Sequence, residues 1–535
     1  MRSVGRILRS NWLLVIPLLF GILLMASAWF LSYPLLIVSP DDWIFNHISS
    51  LYWIGLPLTV VSLYAIGLRS HSYKLQCVVA LGIFLAINSL SYYYSMLPGS
   101  DAQLFRGLNE YYSKSDSLVA DNKWHFYYEF PVFFVFTRII GIVTGLELVH
   151  LEFFLYTLIG SMIVLGFFMF YSANNKKLVF LPVVGFAIAM FSFFNYQAVP
   201  FSLASSLLIL MLAIEKKFEF RAVSRSKTVL ILLLFVSVSF THVFVSVFFI
   251  LYLIAQYLLN RNPKYLRLIL ITVVIYSAVQ FFHASVSLDA NVQILVDNIL
   301  SSDLSKVVEQ TFIPNPSPID ALAQTFSRIS FFLVTLVCGF GFLLLLLKKR
   351  LTNVDKAFLF SGLIYLVLGV FLPILGSRAI AFVFIPVSMG VFFFFRGRKE
   401  VIMKIVLLVG LVLFTFVSMH STFIGEVQFQ TKEAYAAENF MLKYYAWNQT
   451  APPKVVIDFR QQNYLVAFEA NRAYFYGEKI ANFSELKEYD CVIYTVGLAK
   501  ILAAQNITIV NSIENSSFHL IYSNGFTNSF VNSVR

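Results

Sequence analysis

Long apolar runs are the feature that most limits what this chain can fold into. Of its 535 residues, 59% are hydrophobic and only 13% are charged, whereas soluble domains carry about 25% charged residues. Apolar runs of roughly 18 to 25 residues are long enough to cross a bilayer as helices, so the pattern predicts an all-α polytopic membrane protein with about 13 spans. The predicted spans are residues 12–38, 50–68, 76–97, 151–172, 178–195, 199–215, 228–241, 243–260, 266–285, 327–347, 357–375, 379–395 and 401–419.

The basic residues lie mainly in short connections between these runs. Arg69, Lys74 and the basic segments 215–227, 348–356 and 396–404 all fall on the same side if the N-terminus is cytoplasmic. Short loops rich in Lys and Arg face the cytoplasm. The formal net charge of +11 therefore reflects topology in an integral membrane protein of the cell membrane, with the bilayer as a partner and no nucleic acid.

Segment 131–148 is one apolar run too many for this topology. Counting it as a full crossing would place every later basic loop outside, and it contains Arg138. We therefore predict a re-entrant or interfacial segment. Because such backbone is tolerated in a membrane only where protein or a watery cavity covers it, the segment predicts a cavity beside the preceding loop, 98–131. The double run 228–260 predicts a tight hairpin with Thr241 and His242 in its outer turn.

Composition divides the chain near residue 420. Residues 1–420 form the predicted transmembrane domain, with long outer loops at 98–131 and 286–326. Residues 421–535 have a soluble character and strand-like segments, which predicts a small extracytoplasmic α/β domain with a hairpin over 519–531. N-x-[ST] sequons, which matter only on an extracytoplasmic surface, begin in this part at Asn448, Asn482, Asn506 and Asn515.

Loop 98–131 is the most polar and aromatic interruption in the first third of the chain. Asp101, at the membrane surface, could act as a general base toward a hydroxyl group or help to hold a divalent cation such as Mg²⁺ or Mn²⁺. Alternatively, Asp101 or Ser100 caps the helix that follows. The clustered Tyr and Trp, which include Tyr128, could stack on sugar rings or form an interfacial aromatic belt. Glu110 and His125 are further polar candidates.

Two later residues are also candidates for a site on the outer face. Arg378 lies between apolar residues at a predicted outer loop, against the positive-inside bias. Its guanidinium could grip a phosphate with two parallel hydrogen bonds, or it could snorkel to lipid headgroups. His242 could assist at such a site or be a satisfied interfacial residue. The chain has no nucleotide-binding motif, which favours a lipid-linked substrate for an extracytoplasmic enzyme.

Several short motifs give the chain a family resemblance. They are Pro98-Gly99-Ser100-Asp101 with Glu110, Tyr127-Tyr128-Glu129-Phe130-Pro131, Thr241-His242, Ser377-Arg378 followed by 382–386, and the tail segment 521–526. With this layout the chain resembles the GT-C superfamily of polyprenol-dependent membrane glycosyltransferases, and is most similar to archaeal multi-spanning members. The resemblance implies inverting transfer of a sugar from a polyprenyl (dolichyl) phosphate carrier to a glycan, lipid or protein acceptor at the extracytoplasmic face.

The resemblance also implies roles for individual residues. Asp101 matches the acidic residue of the first functional outer loop, which contacts the acceptor or a metal ion, and Arg378 matches a late arginine near the lipid phosphate. The acidic loop follows the third predicted span here, whereas many members carry it after the first. Asp41 and Asp42, in the first outer loop, are therefore alternative catalytic residues.

Two other functions are compatible with a polytopic protein of this kind. A glycan polymerase or ligase of the O-antigen type also uses a long outer loop, but with several outer-loop arginines. A flippase or transporter of lipid-linked sugars would move its substrate without cleaving it. Transporters tend to carry inverted repeats and broken helices at the midplane, and the sequence shows neither.

Overall fold

The structure is a computed structural model, and it describes a substantial part of the chain. The described residues are 12–32, 48–70, 72–93, 105–109, 112, 129–173, 179–184, 199–218, 225–285, 289, 292–293, 296, 335–371, 382–394, 401–402, 404–412, 454–456, 474–476, 491–495, 518–523 and 527–532.

The first three long helices form a contiguous layer. Helix α1 spans Trp12–Ser32, α2 spans Ser50–Arg69 and α3 spans Tyr73–Asn88, which continues as a 3-10 turn over Ser89–Tyr93. Helix α2 packs against both α1 and α3. The α-helix α3 ends nine residues before the predicted span boundary at 97. At that point the Asn88 amide donates to the carbonyl of Phe84 at 2.8 Å and the Ser89 hydroxyl donates to that of Ala86 at 2.7 Å, local bonds that compete with continued helix.

The predicted surplus segment forms a short helix, α4, over Val132–Thr144. At 1.5 Å per residue it is roughly 20 Å long, against a hydrocarbon core of about 30 Å. It ends at Gly145, whose φ of +67° favours glycine. Helix α5, Leu148–Ser172, follows directly and contacts α4. The length of α4 agrees with a re-entrant or interfacial segment, which stays a prediction.

The middle of the chain confirms the predicted hairpin. Helix α6 spans Pro200–Phe218, α7 spans Arg225–Ser239 and α8 spans Val243–Asn260. Residues 240–242, which we name the hairpin turn, connect α7 to α8 and contain Thr241 and His242 as expected. Helix α9, Pro263–Ala278, runs back along α8 and ends in a π-helical turn over Val279–His283.

Three further long helices follow in the described part of the chain. Helix α10 spans Thr335–Leu347, α11 spans Asn353–Phe371, and α12 spans Phe382–Phe393 with a 3-10 stretch inside it. Helix α11 packs against α8. The aromatic rings of Phe248, Phe358, Tyr365 and Phe382 contact one another between these helices.

Five described helices are long and apolar enough to cross a bilayer. They are Leu13–Ser32, Ser50–Arg69, His150–Ser172, Val243–Asn260 and Pro263–His283. Each matches one of the predicted spans, so the largely helical membrane architecture is confirmed. The total of about 13 spans stays a prediction, because several of the predicted runs lie partly or wholly outside the described residues.

The tail contains a five-stranded mixed sheet in the order β2-β1-β3-β5-β4. The strands are β1 Lys454–Val456, β2 Tyr474–Tyr476, β3 Cys491–Thr495, β4 Phe518–Ser523 and β5 Thr527–Asn532. Strands β2, β1 and β3 are parallel, and the predicted hairpin appears as the antiparallel pair β4–β5. The remaining tail residues, including the strand-like 507–510, lie outside the described part, so the α/β domain and the boundary at 420 stay predictions.

Two glycines bring α1 and α2 into backbone contact. A Cβ on Gly55 would lie 2.7 Å from the carbonyl oxygen of Gly21 and 2.9 Å from the Cβ of Leu24. Small residues at facing positions allow such close approach of membrane helices. Away from this contact α1 exposes apolar side chains such as Leu13 and Phe30, as expected for a lipid-facing helix.

Gly55→Val is therefore expected to lower stability by about 1 to 3 kcal/mol, because backbone atoms must move to make room. The matched control is Gly339→Val in α10, where an added Cβ would meet no described atom within 4 Å. Thermal unfolding of the two purified variants in the same detergent measures the difference. Equal unfolding temperatures would contradict the close contact of α1 and α2.

Candidate functional site

Most predicted site residues fall outside the described part of the chain. This holds for Asp41, Asp42, Asp101, Glu110, His125, Tyr128 and Arg378. His242 is described, and so are the segments that adjoin Asp101 and Arg378 in the sequence. Residues 105–109 begin four positions after Asp101, and α12 begins four positions after Arg378.

His242 is held by the geometry of the hairpin turn. The backbone N–H groups of Thr241 and His242 both donate to the carbonyl of Val238, at 3.0 and 2.9 Å, and the Thr241 hydroxyl donates to the carbonyl of Ser237 at 2.5 Å. His242 then takes an extended conformation, with φ −162° and ψ 120°, as the N-cap residue of α8. Thr241 is buried and His242 is half-buried. The turn thus fixes the imidazole at the end of the hairpin.

Two phenylalanines extend the surroundings of His242 toward α12. The His242 ring lies edge-on to Phe201 of α6, with centroids 5.3 Å apart, and Phe201 contacts Phe382 at 6.4 Å. Phe382 also stacks on Phe248 of α8 at 4.5 Å. The first residue of α12 is therefore packed close to the hairpin turn, and Arg378 precedes it by four residues in the sequence.

A buried ion pair ties loop 98–131 to the helices. The Arg106 Nε donates to both carboxylate oxygens of Glu152, at 3.1 and 2.9 Å, and its Nη2 donates to Oε2 at 2.6 Å. The side chains are 0% and 5% exposed. A guanidinium that bonds both oxygens of a carboxylate has a defined orientation as well as a strong attraction. The pair therefore fixes segment 105–109 against the N-terminal part of α5.

The ion pair and the hairpin turn are joined through α4. The Phe105 ring contacts Phe133 at 5.8 Å. At the start of α4, the backbone N–H of Val132 donates a hydrogen bond to the carbonyl of Phe240 in the hairpin turn at 3.2 Å. Arg138, further along α4, donates to the carbonyl of Tyr112 at 3.3 Å. The described ends of the polar loop, α4 and the hairpin turn thus meet at one end of the bundle.

Neither Arg106 nor Glu152 is among the site residues that the sequence predicts. The sequence does contain a signal for Glu152, because it is the only Asp, Glu, Lys or Arg in the 25-residue helix α5. A charge inside an apolar helix needs a partner or a function. The sequence alone could not say which basic residue would meet it, since the loop offers Arg106, Lys114 and Lys123.

A second buried polar group, which we name the Lys216 cluster, comprises Glu215, Lys216, Tyr252, Tyr265 and Asp355. Lys216 Nζ donates to Asp355 Oδ1 at 2.5 Å and lies 3.7 Å from the Phe170 ring centroid. Glu215 accepts hydrogen bonds from the hydroxyls of Tyr252 and Tyr265, the latter at 2.6 Å. The cluster joins α6, α8, α9 and α11 about 14 Å or more along α8 from the hairpin turn.

The described residues hold no group of three or more His, Cys, Asp or Glu side chains that could bind a metal ion. The predicted metal ligand, Asp101, lies outside the residues that this statement covers. Cation binding by Asp101 therefore stays a prediction.

No protein-family model and no curated protein matches the chain. Several solved structures resemble it, including the following two. One is apo ArnT from Cupriavidus metallidurans, at 11% identity and a TM-score of 0.48, covering 85% of this chain and 97% of that one. The other is an Archaeoglobus fulgidus oligosaccharyltransferase tethered to an acceptor peptide that contains the NVT sequon, at 12% identity and a TM-score of 0.48. It covers 87% of this chain and 74% of that one.

Proposed function

We propose that the protein is an integral-membrane glycosyltransferase. It moves a sugar from a polyprenyl (dolichyl) phosphate carrier to a glycan, lipid or protein acceptor at the extracytoplasmic face. The observation that carries the proposal is the buried Arg106–Glu152 pair. Because Asp101 precedes Arg106 by only five residues, the acidic end of the loop is covalently tied to a rigid point in the bundle. An anchored carboxylate is what positioned acid–base chemistry needs.

Asp101 is the proposed base for the acceptor. It takes the proton as the acceptor hydroxyl oxygen forms a bond to the anomeric carbon of the sugar. The bond from that carbon to the phosphate oxygen breaks, so the configuration inverts and polyprenyl phosphate leaves. In the alternative, Asp101 would hold a divalent cation, Mg²⁺ or Mn²⁺, and this cation would orient the acceptor in place of the free carboxylate. Asp41 and Asp42 are the alternative carboxylates for this role.

Arg378 is the proposed partner of the departing phosphate. A guanidinium can bond two phosphate oxygens at once and stabilise the charge that develops on the leaving group. The packing of Phe382 on Phe201, which contacts His242, supports placing Arg378 and His242 in the same site. Glu110, His125 and Tyr128 share the loop with Asp101 and are proposed to contact the sugar or the acceptor.

The test is transfer activity in the full-length protein supplied with polyprenyl-phosphate-linked sugars. Asp101→Asn keeps the shape of the side chain and removes the base, so the rate is expected to fall by about 100-fold or more. Asp41→Asn and Asp42→Asn serve as matched controls and are expected to stay near the wild-type rate. Full activity in Asp101→Asn with loss in a control would transfer the role to the first outer loop.

Mass spectrometry of the donor lipid separates transfer from transport. A transferase releases polyprenyl phosphate without its sugar. A flippase leaves the donor intact and changes only the leaflet in which it resides. Intact donor after incubation with the active protein and an accepted acceptor would overturn the proposed function.

A further inference from the structure

The π-helical turn at the end of α9 is an irregularity that the proposed chemistry does not use. The N–H of Ala284 donates to the carbonyl of Val279 at 2.9 Å, five residues back, across Val279–His283. Single π turns of this kind are rare, and those that occur are often found at functional sites. The extra residue in the turn changes the direction of the side chains around it.

Gln280 is the buried polar residue of the turn. Its side chain is 1% exposed, and neither Oε1 nor Nε2 has a hydrogen-bond partner within the described part of the chain. Buried amides are normally paired, and an unpaired one carries a substantial desolvation penalty. Gln256 of α8 shows the usual arrangement, since its Nε2 donates to the Tyr252 hydroxyl at 2.8 Å and its Oε1 accepts from Asn260 at 2.6 Å.

Gln280 belongs to the same end of the bundle as His242. His283, three residues after Gln280, lies edge-on to Phe240 of the hairpin turn with ring centroids 5.2 Å apart. Ser239, directly before Phe240, is fully buried, and its Oγ also has no hydrogen-bond partner among the described residues. Helix α7, which ends at Ser239, packs against α9, and the turn that contains Gln280 directly continues α9. Two buried polar side chains that have no described hydrogen-bond partner thus lie within three residues of one ring contact beside the hairpin turn.

The chemistry of the carboxamide limits what can bind it. A ligand that satisfies both Oε1 and Nε2 must offer a donor and an acceptor. A phosphate dianion offers acceptors only, and a hydrocarbon chain offers neither. Adjacent hydroxyl groups of a sugar ring offer both, and the Ser239 hydroxyl can donate to or accept from a third.

The surface next to Gln280 is apolar. Phe281 and Phe282 are 66% and 91% exposed, and Val274, earlier in α9, is 67% exposed. A bilayer-facing surface of this kind suits an isoprenoid chain. Buried polar side chains next to an exposed apolar surface therefore fit a sugar that is attached to a membrane lipid.

We propose that Gln280, with Ser239, binds the hydroxyl groups of the sugar on the lipid-linked donor. The inference rests on the proposed function and adds a specificity-determining residue to it.

The test compares two probes on the full-length protein in detergent: polyprenyl phosphate alone and polyprenyl phosphate that carries a hexose or a pentose. The readouts are the Tm without ligand and the apparent affinity from ligand-induced shifts in Tm. In Gln280→Leu the unliganded Tm is expected to stay equal or rise, because an unpaired buried amide is replaced by an apolar side chain. Affinity for the sugar-bearing lipid is expected to fall on the order of tenfold, and affinity for bare polyprenyl phosphate to remain.

Gln256→Leu is the matched control. It breaks two internal hydrogen bonds, so its Tm should fall while the affinity gained from the sugar is unchanged.

If Gln280→Leu retains the wild-type preference for the sugar-bearing lipid, the amide is satisfied by water only and the inference is wrong. A fall in unliganded Tm like that of Gln256→Leu would assign Gln280 a structural role and also overturn it. If Gln280→Leu keeps the preference while Asp101→Asn is inactive, the proposed function stands without this subsite. A wild-type protein that binds neither lipid overturns both.

Discussion

Arg106→Met is expected to lower the free energy of unfolding by about 3 to 5 kcal/mol, the usual cost of breaking a buried ion pair by removing one partner. The substitution leaves Glu152, itself 4% exposed, in the interior without the guanidinium that bonds both of its oxygens. Thermal or denaturant unfolding of the purified protein measures the loss. Transfer activity should fall as well, because the loop that bears Asp101 loses its nearest described anchor.

The double variant Arg106→Met/Glu152→Leu provides the control for this result. Replacing both charges by apolar side chains of similar length removes the uncompensated carboxylate, and such replacements of buried pairs are often neutral or stabilising. We therefore expect the double variant to recover most of the stability lost by Arg106→Met. If the effects of the two single substitutions simply add, the two side chains are not coupled and the anchoring role of the pair is wrong.

Lys216→Met is expected to cost a similar amount, about 3 kcal/mol or more, for the same physical reason at the other cluster. Asp355 is fully buried and would lose the ammonium group that lies 2.5 Å from its Oδ1. It would keep its bonds from the backbone N–H and hydroxyl of Thr352, at 3.1 and 2.7 Å, which cap the first turn of α11. These bonds limit the loss but do not neutralise the charge.

The adjacent Lys217 offers a matched control for Lys216. It is exposed at the end of the same helix, so Lys217→Met removes the same charge from the chain without vacating a buried site. Surface substitutions usually change stability by less than about 0.5 kcal/mol. Equal losses in the two variants would show that net charge, and not the pairing of Lys216 with Asp355, sets the effect.

The parts of the fold that the sequence predicted are those that depend on local pattern. The hairpin over 228–260 was predictable because this double apolar run is too long for one span and divides at Thr241 and His242. The structure places the turn there. The short length of α4 agrees with the charge-based argument about 131–148. Helix existence follows from apolar length, which is a property of each segment by itself.

The pairings that fix the bundle depend on partners far apart in the sequence. Arg106 and Glu152 are 46 residues apart, and Lys216 and Asp355 are 139 residues apart. The local sequence around a residue of either pair does not identify its partner, because several residues of the opposite charge are available. Gln280 could not be predicted either, since a glutamine near a helix end carries no signal until its burial and its lack of a partner among the described residues are known. Asp101 and Arg378 were chosen for their chemistry, and their roles stay proposals.

The separation of Lys216 from Asp355 has a consequence for biogenesis. At about 5 to 20 residues per second of synthesis, ~7 to 28 s pass between the appearance of Lys216 and that of Asp355. During this time Lys216 of α6 is not yet joined to its carboxylate, although the tyrosine partners of Glu215, which follow it by 37 and 50 residues, are made earlier. The end of α6 can therefore reach its final burial only after α11 has been synthesised.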